Sequence, residues 1–250
     1  MGYAAARRFA KAGFRVFGID CRPSCDLPID YFCADITDNY SIDEVRAKIS
    51  AETEKLDAIL HFAGIYNLDS LIEISEEDFV KIFNINLFGI YRVNKAFVPM
   101  MEKGCRIVIT SSELAPLDPL PFTGLYAITK SAVEKYAYSL RMELNLHGIS
   151  VSVIRPGAVK TDMLGASTAA LEHFCKKTKR YSYNAENFRR IVDSVETRNV
   201  TPERIADTAF KAVNVKRPRY VYNINRNILL RLLNFLPKRM QIRIITKILK

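Results

Sequence analysis

Two kinds of hydrophobic pattern alternate along the chain. Short runs rich in Val, Ile and Phe are typical of buried strands, and longer stretches with an apolar residue every three or four positions are typical of helices. Strands that alternate with helices predict a parallel sheet covered by helices on both faces. The sequence therefore predicts an α/β protein with a doubly wound parallel sheet in three layers, α/β/α.

The individual elements follow from this alternation. The predicted strands are residues 14–20, 31–35, 58–63, 106–110, 150–154 and 219–224. The predicted helices are residues 1–12, 41–51, 75–101, 123–146 and 202–213. Gly13 and Gly148 each follow a helix, where a residue in the left-handed conformation often ends one. Ser75 and Asp78 have the spacing of a capping box at the start of the third helix.

Composition indicates one sizeable domain. The 250 residues are 49% hydrophobic, which is enough to bury a large core. No apolar run approaches the roughly 20 residues of a membrane span, and the first residues lack the pattern of a secretory signal, so we expect a cytoplasmic protein. Five cysteines, an odd number, are expected to be reduced thiols. The three histidines are isolated from one another, so no metal site is expected.

Charge is concentrated near the C-terminus. Residues 176–250 hold nineteen Lys and Arg against five Asp and Glu, and the remaining residues hold 18 against 22. Such asymmetry suggests an anionic partner. Because no nucleic-acid-binding motif with interleaved aromatic residues accompanies it, we expect no nucleic acid partner.

Residues 226–250 form a basic amphipathic extension of a domain that comprises residues 1–225. The extension has seven basic residues and no acidic one, and Pro237 divides it into two predicted short helices. It could make peripheral contact with a membrane. The interpretation that we favour is that its apolar face packs over a substrate pocket or a partner subunit.

Candidate chemistry lies in the segment Leu-Tyr-Ala-Ile-Thr-Lys. Tyr126 and Lys130 are four residues apart and share one helix face. An ammonium group beside a phenol favours the phenolate, which lowers a phenol pKa that is normally about 10. A phenol with such a pKa can exchange protons with an alcohol or a carbonyl compound. Ser112 ends the apolar run 106–112, fourteen residues before Tyr126.

Several segments in the same order resemble the short-chain dehydrogenase/reductase family over nearly the whole chain. They are Gly2-x10-Gly13 with the strand that ends at Asp20, Cys33-Ala-Asp35-Ile-Thr-Asp38, Ala58-Ile-Leu-His-Phe-Ala-Gly64, Asn84-Ile-Asn86-Leu-Phe-Gly89, Ser112 with Tyr126 and Lys130, and Ile154-Arg-Pro156-Gly157-Ala-Val-Lys-Thr161. The overall pattern is most similar to the hydroxysteroid and retinol dehydrogenase branch.

The resemblance implies a Rossmann-like domain that binds NAD or NADP. Asp20 would accept hydrogen bonds from the adenosine ribose and repel a 2′-phosphate, which favours NAD, although Arg22 could bind that phosphate instead. The remaining implied contacts are Gly2 at the phosphate turn, Asp35 and Ile36 around the adenine, Ala63 and Gly64 beside the cofactor, Tyr126 and Lys130, and Pro156, Gly157, Val159 and Thr161 at the nicotinamide end.

The resemblance also implies the catalytic roles. Tyr126 would be the acid/base, and Lys130 would lower the pKa of its phenol and bind the nicotinamide ribose. Ser112 would hold the substrate oxygen, and Asn86 would anchor a water that connects Lys130 to solvent. Ser111 is a weaker substitute for Ser112, because adjacent strand residues point to opposite faces.

One departure from the family pattern and the substrate remain to be interpreted. His61-Phe62 replaces the family's Asn-Asn, and we expect His61 to be a buried strand residue rather than a catalyst. Residues 120–122 and the pocket-loop candidate 163–188 suggest an apolar surface, hence a hydrophobic secondary alcohol or ketone as substrate. The basic stretch 176–180 could meet an anionic substrate group, but a solvated loop is favoured. By resemblance, helices 75–101 and 123–146 would form a homodimer or homotetramer.

One family element is not found in the sequence. Met1-Gly2 falls on the last two positions of the family's Thr-Gly-x-x-x-Gly-x-Gly turn, so the first strand and most of that turn are absent. We expect Met1 to be an internal methionine of a product that begins upstream. The alternatives are a short product with impaired cofactor binding, or a catalytically weak dinucleotide sensor or scaffold with the same fold.

Overall fold

The computed structural model describes residues 1–196 and 199–250, apart from the side chains of residues 162–168 and 193–196. In that part of the chain the strands are β1 (Phe17–Asp20), β2 (Asp30–Cys33), β3 (Ala58–His61), β4 (Arg106–Thr110), β5 (Ser150–Pro156) and β6 (Val221–Ile224). The α-helices are α1 (Gly2–Lys11), α2 (Asn39–Glu52), α3 (Glu76–Phe83), α4 (Gly89–Phe97), α5 (Gly124–Asn145), α6 (Asp162–Lys177), α7 (Ser182–Glu196), α8 (Pro202–Asn214), α9 (Ile228–Phe235) and α10 (Lys238–Leu249).

All the strand pairs are parallel, as predicted. β1 pairs with β2, and β3, β4, β5 and β6 follow one another in a four-stranded sheet. The two sheets share a single hydrophobic cluster, in which Phe17, Ile19 and Phe32 pack against the buried residues that include Ile59 and Ile107. Strands of both sheets therefore belong to one core.

Helices cover both faces of the sheet. Successive residues of a strand point to opposite faces, so each strand contributes side chains to both helical layers. Ile107 and Ile109 of β4 face a cluster to which α2, α4 and α5 contribute. Val108, between them, faces a cluster that includes Ile205 and Ala209 of α8. α1 packs beside α8 on this second face. The predicted three-layer α/β/α architecture is confirmed.

The predicted helix 75–101 is interrupted. It consists of α3, a π-helical turn (Asn84–Phe88), α4 and a 3-10 turn (Val98–Met100). Its start is as expected, since the Ser75 hydroxyl accepts a hydrogen bond from the Asp78 N–H. The left-handed residues are also where predicted, with φ of +87° at Gly13 and +72° at Gly148.

The prediction of a pocket loop at residues 163–188 is wrong for its backbone. α6 and α7 occupy most of this range, and the side chains of residues 163–168 lie outside the described part. Leu171, Phe174 and Phe188 are buried in a cluster with Phe122, whose ring lies 4.6 Å from that of Phe174 between centroids. Much of the expected apolar surface is therefore internal packing.

The basic stretch at residues 176–180 is also more ordered than a solvated loop. The Lys177 Nζ pairs with the Asp69 carboxylate at 2.8 Å. The backbone N–H groups of Lys179 and Arg180 donate to Glu73. This stretch therefore connects the end of α6 to the segment that follows β3.

Residues 226–250 form two short helices, α9 and α10, separated at Pro237 as predicted. Ile245 and Leu249 of α10 pack into the Phe122 cluster. Among the described residues, no helix combines the length and the apolar character needed to cross a bilayer.

Candidate active site

The site lies at the carboxyl edge of the four-stranded sheet, where β4 leads into Ser112 and α5 passes close by. Tyr126 and Lys130, one turn apart on α5, are both buried. The Ser112 side chain lies close enough to the Tyr126 hydroxyl to act on its pKa. The structure thus brings together the serine and the tyrosine, although fourteen residues separate them in sequence.

Ser111 points away from this pair. Its hydroxyl donates to the Glu134 carboxylate at 2.9 Å, and the same carboxylate forms a partly buried ion pair with Arg155. The structure thus assigns Ser112, and not Ser111, to the face that holds Tyr126. This is the outcome that strand alternation predicted.

Lys130 is buried in a way that changes its protonation. Its Nζ donates to the Thr110 carbonyl oxygen at 3.1 Å and lies 5.7 Å from the centre of the Tyr126 ring. Burial lowers the pKa of Lys130 to about 8, because the charged form loses hydration. The ammonium is therefore still mostly protonated at neutral pH.

The pKa of Tyr126 differs from the sequence-based expectation. Burial raises it to about 12, and the hydrogen bond from Ser112 offsets only part of that rise. The expected lowering by Lys130 is not found, because the Nζ hydrogen-bonds the Thr110 carbonyl and desolvation of the phenolate dominates. Tyr126 is consequently protonated at neutral pH.

Asn86 lies fully buried in the π-helical turn, and its side chain is occupied. Its Oδ1 accepts from the Ile65 N–H at 2.8 Å. Its Nδ2 donates to the Ile65 carbonyl and to the Thr129 hydroxyl. These bonds tie the segment after β3 to α5, and they leave the side chain only one free lone pair for the water that was expected there.

Gly64 lies between Asn86 and Lys130. A Cβ added to Gly64 would lie 3.1 Å from the Asn86 Oδ1 and 3.6 Å from the Lys130 Nζ. A side chain at this position would therefore crowd the two polar groups. The preceding residue, Ala63, is exposed at the end of β3.

His61 is a structural residue, as expected. Its Nε2 hydrogen-bonds the Asn94 Oδ1 at 2.8 Å inside the core. Burial lowers the pKa of His61 to about 4, so the ring is neutral at pH 7. Asn94 in turn donates to the Tyr136 hydroxyl.

Asp20 ends β1 and interacts with Arg22. The Arg22 Nε and Nη2 each lie 3.3 Å from an oxygen of the carboxylate, and the Arg22 N–H donates to it as well. Burial acts to raise the pKa of Asp20, but the hydrogen bonds from Arg22 outweigh it, and the net shift is downward. Asp20 is therefore ionised at neutral pH. Its partner is Arg22, the residue that could instead bind the 2′-phosphate of NADP.

The other predicted cofactor residues are partly used in packing. The Asp35 carboxylate accepts a hydrogen bond from the Thr37 N–H. Ile36 packs closely against Gly89, and a Cβ added to Gly89 would lie 2.5 Å from the Ile36 Cδ1. Gly2 opens α1 beside Phe62, which follows β3.

The Pro156-to-Thr161 segment follows β5. A Cβ on Gly157 would collide with the Asn225 carbonyl oxygen, so packing alone explains this glycine. Val159 is buried and bridges to Val200. Pro156 ends β5, and Thr161 precedes α6, where its hydroxyl donates to the Val159 carbonyl.

The residues present fit a dinucleotide. Asp20, the start of α1 and the Ala63-Gly64 segment follow or adjoin the carboxyl ends of parallel strands, the edge at which such sheets bind ligands. A carboxylate suits a ribose diol, and the backbone N–H groups at a helix start suit a phosphate. Near Lys130, the Thr110 hydroxyl is buried with no hydrogen-bond partner among the described residues, which leaves a polar atom for a bound molecule or water to satisfy.

Sequence reasoning missed two residues beside the site. The Tyr66 ring packs edge-on against the Tyr126 ring, with centroids 4.7 Å apart. Glu113, next to Ser112, accepts the Asn227 N–H at 2.5 Å and so connects the site to the C-terminal extension. The position of Tyr66 two residues after Gly64 was an available signal, whereas the contact of Glu113 with a residue 114 positions away was not.

Comparison with known proteins gives consistent results. A family model described as short chain dehydrogenase matches residues 1–172. Estradiol 17-beta-dehydrogenase 2 of Mus musculus is 28% identical over 197 residues, which are 70% of this chain and 51% of that protein. 2,3-Dihydro-2,3-dihydroxybenzoate dehydrogenase of Escherichia coli is 30% identical over 166 residues, 65% of this chain and 66% of that protein.

A third similar protein is matched over a larger share of both chains. 3-Ketodihydrosphingosine reductase of Bacteroides thetaiotaomicron is 24% identical over 222 residues, 88% of this chain and 81% of that protein. A solved short chain dehydrogenase of Burkholderia cenocepacia in complex with NADP superposes with a TM-score of 0.72 at 21% identity, covering 90% of this chain and 91% of that chain. The chain thus spans about half to four fifths of the length of these curated relatives. The family match supports a nicotinamide dinucleotide, NAD or NADP, as the cofactor.

Proposed function

This chain belongs to the short-chain dehydrogenase family, and on that premise we propose that it interconverts a hydrophobic secondary alcohol and its ketone with a nicotinamide dinucleotide. The observation that carries the proposal is the joint burial of Ser112, Tyr126 and Lys130, with Ser112 close to the Tyr126 hydroxyl and the Lys130 ammonium one helical turn away. A buried hydroxyl pair of this kind suits proton exchange with a substrate oxygen.

The bound dinucleotide would supply the hydride in reduction and accept it in oxidation. In reduction, the Tyr126 O–H donates its proton to the substrate oxygen as negative charge develops there. The Ser112 hydroxyl donates a hydrogen bond to the same oxygen and holds it near Tyr126. In oxidation the proton returns from the alcohol to the Tyr126 oxygen.

Lys130 and Asn86 support this step. Lys130 does not lower the pKa of Tyr126 before the reaction, and its proposed role is to stabilise the phenolate that remains after proton donation, from 5.7 Å. Asn86 is proposed as a positioning residue, since its bonds to Ile65 and Thr129 fix the segment after β3 against α5. The resting chain holds Tyr126 protonated at neutral pH, which is the state needed to protonate an alkoxide.

A hydrophobic substrate is supported by the surroundings of Tyr126. Its neighbours include Ile65, Tyr66, Phe83 and Leu114. The names of an estradiol dehydrogenase and a 3-ketodihydrosphingosine reductase among the similar proteins point in the same direction. We therefore propose a bulky apolar ketone or alcohol rather than a small polar one.

A homodimer or homotetramer is supported by apolar residues on the outer faces of the helices expected to form it. Phe88 and Tyr91 are about half exposed near the start of α4, and Tyr138 and Met142 are more exposed on α5. Exposed apolar patches of this kind are common at subunit contacts.

The serine pair tests the proposed chemistry. The assay follows the oxidation of NADH or NADPH with a panel of hydrophobic ketones. Ser112→Ala should lower kcat by about a hundredfold, because the substrate oxygen loses one positioned donor. Ser111→Ala is the matched control and should keep the wild-type kcat. Its free energy of unfolding should fall by about 1 kcal/mol, because the hydrogen bond to Glu134 is lost. Equal kcat in the two variants would contradict the assignment.

Cofactor choice is tested at the end of β1. We propose NAD as the preferred cofactor, since the ionised Asp20 would repel a 2′-phosphate. Asp20→Ala removes that charge and the carboxylate that holds Arg22, so the ratio of NADPH to NADH affinity should rise about ten- to a hundredfold. Enhancement of reduced-cofactor fluorescence on binding measures both affinities.

Arg22→Ala is the companion variant. It removes the partner of Asp20 without removing the carboxylate, and it should leave NADH affinity nearly unchanged. A wild-type chain that binds NADPH more tightly, and loses that preference in Arg22→Ala, would show that the guanidinium and not the carboxylate selects the cofactor.

A further inference from the structure

The outward side of the C-terminal extension carries a preformed apolar surface. On α9 the exposed residues are Ile228, Leu229, Leu232 and Phe235, which share one helix face, and Phe235 is 78% exposed. On α10 the residues Met240, Ile244 and Ile248 form a second exposed stripe at four-residue spacing. We call these seven residues the apolar stripe.

Cations border the apolar stripe. Arg239, Arg243 and Lys247 follow one another at four-residue spacing on α10, one position before Met240, Ile244 and Ile248 respectively. They are exposed, and residues 226–250 contain no acidic residue that would neutralise them. The result is an apolar stripe beside a basic one, which is the arrangement that suits a helix lying in a lipid headgroup region.

The inward side holds both helices in place. Gln241 donates to the Asp118 carboxylate and to the Leu236 carbonyl oxygen, and Lys238 pairs with Asp118. The Asn184 Nδ2 donates to the Leu249 carbonyl oxygen at 2.8 Å. The outward side chains are therefore presented by helices that are fixed to the domain, and little ordering is needed before they meet a surface.

The charge of this surface favours an anionic bilayer over a second copy of the chain as its partner. A second copy of the chain that met it face to face would bring two basic stripes together, and like charges across an interface are unfavourable. An anionic bilayer offers opposite charge to the basic stripe and hydrocarbon to the apolar stripe. We propose that residues 226–250 dock the protein on the surface of a membrane that contains anionic lipid.

The test is sedimentation of the full chain with vesicles. Vesicles of phosphatidylcholine and phosphatidylserine should retain the protein, pure phosphatidylcholine vesicles should retain much less, and added salt should release it. Because the assay does not use turnover, its outcome is independent of the proposed hydride transfer. Equal retention on the two kinds of vesicle, or none on either, overturns the proposal.

Matched variants locate the contact. Phe235→Ser and Leu229→Ser should each weaken vesicle binding about tenfold, because an apolar side chain no longer enters the bilayer. The control is Tyr40→Ser, which changes a 71% exposed aromatic residue on α2 and should leave binding unchanged. If Phe235→Ser and Tyr40→Ser behave alike, the extension is not the docking surface.

The basic stripe is tested in the same way. Arg243→Gln with Lys247→Gln should weaken binding to the anionic vesicles by about fivefold per charge. Lys216→Gln with Arg217→Gln removes two exposed cations that lie outside the extension and should have little effect.

Two further outcomes would overturn the proposal. If Phe235→Ser lowers the mass of the protein in solution and leaves vesicle binding intact, the surface joins two copies of the chain. Retention on duplex DNA but not on vesicles would assign the cations to nucleic acid.

Discussion

Replacing Tyr126 by Phe is expected to lower kcat for reduction of a hydrophobic ketone by about a hundred- to ten-thousandfold, the usual contribution of a positioned acid or base. The variant loses the proton donor and its interaction with the nearby Ser112. It keeps the ring that packs against Tyr66, so the site keeps its shape. Binding of the reduced dinucleotide, measured by its fluorescence, should be nearly unchanged.

Tyr136→Phe is the matched control for this result. Tyr136 lies on the same helix, and its hydroxyl accepts a hydrogen bond from Asn94 away from the site. The variant should keep kcat and lose about 1 kcal/mol of stability. If Tyr126→Phe retained wild-type turnover, Tyr126 would not be the proton donor, and the proposed chemistry would need another acid.

Lys130→Met is expected to produce opposite effects on activity and stability. Turnover should fall about a hundredfold or more, because the positive charge beside the Tyr126 ring is lost. The free energy of unfolding at pH 7 should rise by about 1 to 3 kcal/mol. Burial lowers the pKa of Lys130 from 10.5 to about 8, so the folded state carries an unfavourable charge that methionine removes. The lost hydrogen bond to the Thr110 carbonyl offsets part of the gain.

The pH dependence of this difference identifies its cause. Below pH 8 the wild-type lysine is protonated in both the folded and the unfolded chain, so the penalty of burying the charge is complete. Between pH 8 and 10.5 the folded chain releases the proton while the unfolded chain keeps it, and the stability of the wild type rises. The advantage of Lys130→Met should therefore shrink across this range.

Denaturant unfolding of both proteins at several pH values measures this trend. Lys135→Met removes an exposed cation from the same helix and should change stability by about 0.5 kcal/mol or less at each pH. A variant Lys130→Met that is less stable than the wild type at pH 7 would show that the lysine is held by compensating interactions.

The sequence predicted the architecture well, because local patterns determine it. Alternating apolar runs predicted the parallel strands, and the glycines at 13 and 148 adopt the left-handed conformation expected after a helix. That Ser111 and Ser112 point in opposite directions followed from the period of a strand. Such features depend on neighbours in the sequence, which can be read directly.

Other features depend on contacts between distant segments. The break in the predicted helix 75–101 coincides with Asn86, whose side chain bonds Ile65, a residue 21 positions away. The upward shift in the pKa of Tyr126 reflects how deeply the phenol is buried. The nearby Lys130 in the sequence gave no information about that burial.

The error at residues 163–188 had a different origin. Leu171 and Phe174 have helical spacing, as do Phe188, Ile191 and Val192, so the signal for α6 and α7 was present.

The central claim is that this chain moves a hydride between a nicotinamide and a carbinol carbon with Tyr126 as proton donor. The most direct measurement incubates the chain with reduced dinucleotide deuterated at the transferring position and with a panel of hydrophobic ketones, and then weighs the product alcohols by mass spectrometry. We predict an alcohol that carries the deuterium on its carbinol carbon with the wild type, and almost none with Tyr126→Phe. Dinucleotide binding without any deuterated alcohol from the wild type would contradict the account and favour a dinucleotide-binding protein without this activity.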